Sequence, residues 1–79
     1  MNMSKVKLYS VSTDPFCTNV RQLLDEHRVD FEELRAVGNP AIALEMLHKS
    51  GQMKNCVLDV GGEVIVGFDE DNIRKILQG

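Results

Sequence analysis

Tryptophan is absent, tyrosine occurs once, and aromatic residues make up only 5% of the chain. A core without large rings must be filled by aliphatic side chains, and the 43% apolar content supplies them while arguing against disorder. Cysteine is limited to two residues, too few for a four-sulfur zinc site and enough for one intramolecular bridge. Positive charge is not in surplus: nine Lys and Arg face twelve Asp and Glu, a formal charge of −3. With no basic field and no arginine cluster, a nucleic-acid partner is not expected. No apolar run approaches the roughly 18 residues needed to span a bilayer, so no membrane association is expected. Met1-Asn2-Met3-Ser4-Lys5 lacks the apolar core of a secretory signal, and cytoplasmic location is the expectation. Ser-His-Asp sets, phosphate-cradling glycine loops and paired carboxylates are also missing.

What is present fits one small domain over residues 1–79, expected to be monomeric. A chain of this size buries roughly 60% of its unfolded surface, near the lower limit for folding on an apolar core. Val6 to Val11 reads as a buried strand, followed by turn residues Ser12, Thr13, Asp14 and Pro15. Phe16, Val20, Leu23, Leu24 and His27 then fall at helical spacing and predict one apolar stripe. Val29 to Leu34 alternates weakly, as a strand at or just inside a sheet edge would. Pro40 is placed to open a second helix over Ala41 to Lys49, and Gly51 to stop it. Cys56 to Val60 and Glu63 to Val66 flank Gly61-Gly62, a hairpin signal. A last helix spans Glu70 to Gln78, with Asp69 as its cap. The order is βαβαββα, with parallel pairing from the β-α-β unit and antiparallel pairing from the hairpin.

Asp14-Pro15-Phe16-Cys17 carries the chemistry. Together with K-L-Y-S at Lys7 to Ser10, L-L-D-E at Leu23 to Glu26, S-G-Q-M at Ser50 to Met53 and G-G-E-V-I-V-G-F-D at Gly61 to Asp69, it resembles the glutaredoxins with C-P-[WFY]-C sites. The resemblance implies a thioredoxin-like α/β fold with a four-stranded mixed sheet flanked by helices, and thiol-disulfide exchange as its activity. Asp14 then stands where the family has its nucleophilic cysteine. A carboxylate suits a helix start, accepting the second or third helical N–H with Pro15 at the first position, but it cannot form a mixed disulfide. A role as general base is the alternative. Cys17 takes the resolving-cysteine position, one turn inside the helix, where alone it would be a small buried hydrophobe.

The resemblance also places Cys56 where the family carries a cis-proline, with Lys54-Asn55-Cys56 replacing its Thr-Val-Pro segment. A non-proline cis bond costs about 2.5 to 4 kcal/mol, so Asn55-Cys56 is expected to be trans. The family geometry sets Cys17 and Cys56 face to face, as a relocated redox pair, a structural disulfide or two unconnected thiols. The implied substrate site comprises Phe16, Lys54, Asn55, Gly67, Asp69 and Glu70, with Phe68 alongside. Its ligand would be a small thiol, a protein disulfide or a peptide. No cofactor is required, glutathione is a possible co-substrate, and no resident metal is expected, since Cys17, Cys56 and Asp14 form a thin ligand set. The reading is a divergent glutaredoxin-like redox protein, or alternatively a redox-inactive module that binds peptide, glutathione or a protein partner. A monothiol sensor that is reversibly glutathionylated at Cys17 is a third option. His27 and His48 read as helix-end residues, Met46 as core filler and Met53 as loop packing.

Overall fold

The computed structural model describes residues 5–12 and 14–78. Met1 to Ser4, on which the leader reading rests, and Thr13 in the expected turn lie outside the described residues. Seven elements follow in the order β1 (Val6–Ser10), α1 (Cys17–Glu26), β2 (Glu32–Arg35), α2 (Pro40–Ser50), β3 (Val57–Val60), β4 (Glu63–Val66) and α3 (Glu70–Gln78). One four-stranded sheet runs β2-β1-β3-β4. β2 is parallel to β1, with Leu8 opposite Glu33, and β3 is antiparallel to both β1 and β4, with Leu58 opposite Leu8 and Ile65. The parallel pair arises because α1 carries the chain back across one face before β2 begins.

Strand alternation sorts the aliphatic side chains into two cores. Val6 and Leu8 of β1 and Leu58 of β3 pack with Val20, Leu23 and Leu24 of α1 and Ile73 of α3 on one face. Tyr9, Val11 and Val57 pack with Met46 of α2 on the other. The sheet is the middle layer of three, which is how a short chain covers both faces of a strand as apolar as β3. Cys17 and Cys56 both belong to the first core.

Three expectations need correcting. α1 begins at Cys17, with Pro15 and Phe16 in a turn before it, and Phe16 is 54% exposed rather than part of the apolar stripe. β2 begins at Glu32, three residues later than expected, because the chain spends 27–31 ending α1. His27 caps the helix, Arg28 takes φ +54°, its N–H donates to the Asp25 carbonyl, and the Val29 N–H donates to the Leu24 carbonyl. That pairing is a Schellman motif, with Val29 and Phe31 tucked against the core instead of alternating along a strand. Met53 is exposed, so it does not pack the loop as expected. Elsewhere the local signals hold: Pro40 opens α2, Gly51 ends it at φ +74°, and the Gly61-Gly62 turn joins β3 to β4 with both φ positive.

Candidate redox site

Cys17 and Cys56 are joined by a disulfide, with Cα atoms 5.6 Å apart across 39 positions of sequence. That spacing lies in the range a bridge needs without backbone movement. The first sulfur sits on the opening residue of α1 and the second on the residue before β3, so the bridge ties the start of a helix to the middle of the sheet. Both cysteines are buried, Cys17 at 4% exposure and Cys56 at 1%.

Asp14 lies beside them and is 8% exposed. Its Oδ1 accepts the Phe16 N–H at 2.9 Å, which caps the turn leading into α1. Its Oδ2 accepts the Cys56 N–H at 2.8 Å, 42 residues along the chain. The expected helix cap is therefore a cap on the preceding turn and also a tertiary clasp. Where the family resemblance puts proline, there would be no N–H; a cysteine brings a buried donor, and a buried donor must be paired. Asp14 supplies the acceptor, so the residues at 14 and 56 account for each other. The Asn55-Cys56 bond is trans, since no cis peptide occurs among the described residues.

The loop before β3 is satisfied internally. Gln52 Oε1 accepts the N–H groups of both Lys54, at 2.9 Å, and Asn55, at 2.7 Å, and Gln52 Nε2 donates to the Asn55 carbonyl at 3.3 Å. Three consecutive donors, at 54, 55 and 56, are thus occupied by side chains of the protein itself. Sequence reasoning passed over Gln52, whose importance depends on the bend of the loop and leaves no local pattern. The Gly67 N–H donates to the Cys56 carbonyl at 2.7 Å and fixes the far side of the loop.

Two hollows are lined by residues of this site. One, of about 270 Å³, is lined by Asp14, Phe16, Asn55, Gly67 and Phe68, and the Phe16 and Phe68 rings stack there at 6.4 Å between centroids. The structure therefore brings together Phe16, Asn55 and Gly67 of the expected substrate site. Lys54 does not line it, and Asp69 and Glu70 open α3: the two Asp69 carboxylate oxygens accept the Asn72 N–H and side-chain amide, while Glu70 accepts Arg74 Nε at 2.9 Å. The second hollow, of about 330 Å³, is lined by Ser10, Val11, Ser12, Cys17, Arg21, Glu33, Arg35 and Val37. Arg21 donates through Nε and Nη2 to the two Glu33 oxygens, each at 2.8 Å, and this pairing holds the Glu33 carboxyl below its ordinary value. Cys17 Sγ lies 3.5 Å from the Val11 carbonyl oxygen, an acceptor for its thiol when the bridge is open. His27 and His48 fall at helix ends as expected, with His27 Nδ1 3.0 Å from the Leu23 carbonyl.

The four-stranded mixed sheet flanked by three helices goes with a match of residues 6–65 to a family model described as Glutaredoxin. The chain belongs to the glutaredoxin family. It is 32% identical over 68 residues to glutaredoxin 3 of Escherichia coli K12, covering 86% of this chain and 82% of that one. It is 29% identical over 73 residues to an uncharacterised glutaredoxin-like 8.6 kDa protein of the Clostridium pasteurianum rubredoxin operon, covering 92% and 97%. The crystal structure of a glutaredoxin from Archaeoglobus fulgidus superposes with a TM-score of 0.85 at 23% identity, covering 99% and 90%, a likeness of fold. Glutaredoxin membership and the paired sulfurs together support a thiol redox role for this chain.

Proposed function

We propose that this glutaredoxin exchanges disulfides through Cys17 and Cys56, a pair set between helix and sheet where its relatives' resemblance would set both sulfurs on one turn. The observation that carries the reading is the contact between the two cysteines at 5.6 Å between Cα atoms. Cys17 lines the hollow shared with Arg21 and Arg35, so an incoming thiolate meets Cys17 Sγ there. Its lone pair forms a new S–S bond to Cys17, and Cys56 departs with the electron pair of the old bond and takes up a proton. A second thiolate then attacks the outer sulfur of the mixed disulfide and releases Cys17 as thiolate. That release is favoured by the first-turn N–H groups and dipole of α1, which stabilise negative charge on a departing sulfur. The net change reduces the protein's disulfide and oxidises two small thiols to theirs; run backwards, it reduces a substrate disulfide. Glutathione fits the small-thiol role, and Arg35 beside the hollow suits a carboxylate-bearing thiol.

Reduction of a model mixed disulfide by the wild type, Cys17→Ser and Cys56→Ser tests this. With the pre-reduced proteins and no added thiol, the wild type is expected to release both halves of the substrate as Cys56 closes the bridge, Cys56→Ser to stall as a mixed disulfide on Cys17, and Cys17→Ser to be inactive. Equal rates near background in all three would overturn the reading. The burial of both sulfurs favours a second reading in that event, a binding module that uses the exposed Phe16 and its partner Phe68.

A further inference from the structure

We infer that the reduced protein holds a zinc ion between Asp14, Cys17 and Cys56. One ligand atom from each of these buried residues, the two sulfurs and a carboxylate oxygen, lies within 4.8 Å of the others. Two thiolates on a zinc ion stand about 3.8 Å apart when each Zn–S bond is about 2.3 Å, so opening the bridge requires side-chain rotation and no movement of the strands. The backbone at Cys56 is also held by bonds other than the bridge: its N–H donates to Asp14 Oδ2 and its carbonyl accepts the Gly67 N–H, contacts that do not involve the sulfurs. Each Asp14 oxygen accepts one N–H and has a second lone pair left for a metal.

Charge argues the same way. Reduction leaves two buried thiols beside a buried carboxylate, and a divalent cation compensates both sulfurs as thiolates there. Mixed sulfur and oxygen ligands suit zinc, whereas a carboxylate is a poor partner for the softer cuprous ion. The three protein ligands leave one tetrahedral position for water or an incoming thiolate. Binding releases two thiol protons. Oxidation by a small disulfide reverses it: two electrons leave the two thiolates, the Cys17–Cys56 bond forms, the small disulfide takes those electrons and two protons to become two thiols, and zinc is freed. Bridge and metal are alternatives at one site.

The inference rests on the same pairing of sulfurs as the proposed function, yet the two separate by experiment. Anaerobically reduced protein, freed of reductant, is titrated with Co²⁺ and then Zn²⁺, following the thiolate-to-cobalt charge-transfer band and the protection of both thiols from alkylation. One equivalent of cobalt is expected, displaced by zinc, with no band in the oxidised protein or in Cys17→Ser or Cys56→Ser. Altering an outer-sphere partner of a metal site costs about 10- to 100-fold in affinity, so Asp14→Asn, with its fold checked by circular dichroism, should cost at least that. A reduced wild type with no band and freely alkylated thiols in zinc overturns the site, and an Asp14→Asn variant of undiminished affinity removes the carboxylate from it. A protein that fails to exchange disulfides but gives the cobalt band loses the proposed activity and keeps this site.

Discussion

Asp14 serves two places at once. Its Oδ1 ends the turn before α1 and its Oδ2 satisfies the buried Cys56 N–H. Asp-Pro ahead of an apolar periodic stretch signalled a cap but placed it on the helix, whereas Asp14 caps the turn before it; the clasp was not legible at all, because nothing local links two residues 42 positions apart. Truncation removes both bonds and strands a buried donor, so Asp14→Ala is expected to destabilise the oxidised protein by about 2 to 4 kcal/mol in urea unfolding. Asp14→Asn keeps one acceptor and should cost less. A loss below about 0.5 kcal/mol for the alanine variant would show that water replaces the carboxylate at Cys56.

Among the elements, α1 and α2 are held by end chemistry of different visibility. Gly51 announced the end of α2, whereas Arg28 adopts φ +54° with no glycine to mark it, so β2 was expected too early. A non-glycine residue in that region costs about 1 to 2 kcal/mol, and glycine gives back part of the gain through unfolded-state entropy. Arg28→Gly should therefore raise stability by on the order of 0.5 kcal/mol, read as a higher urea midpoint; a lower midpoint would mean that the Arg28 side chain contributes more than its backbone costs. α2 docks on the sheet through Lys49, which bridges to Asp59 of β3 and lies 5.0 Å from the Tyr9 ring centre, while Tyr9 donates to Glu45 at 2.6 Å. Burial by itself raises the Asp59 carboxyl, but the bond from Lys49, the Gly62 N–H and the nearby Lys7 together bring it below its ordinary 3.8. The Glu33 carboxyl is likewise held below 4.5. In both cases the unfolded chain binds the proton more readily, so their contributions are present above about pH 4.5 and lost as pH falls towards the lowered native values. Asp59→Asn should cost about 1 to 2 kcal/mol at neutral pH and flatten the acid side of the stability profile; an unchanged acid slope would assign that slope to other carboxylates.

Across the whole molecule, family, element order and a mixed four-stranded sheet were legible, because strand alternation, helix-ending residues and family motifs are local or collinear. What joins the parts was not: Gln52 holding its loop, Asp14 reaching Cys56, and the two hollows at the site follow from tertiary placement. The bridge closes a loop over 39 positions, which in a chain-entropy account stabilises the 79-residue fold by about 4 kcal/mol. Reduction should lower the unfolding free energy by roughly that amount, and zinc should restore part of it to the reduced protein alone. The central claim is that Cys17 and Cys56 form a reversible redox pair. Its most direct measurement is thiol alkylation with mass spectrometry after equilibration across a series of glutathione redox buffers. Both cysteines are expected to pass together from alkylated to protected in one two-electron transition, absent in either serine variant. Two cysteines alkylated in every buffer, or a bridge that no buffer opens in native protein, would contradict it.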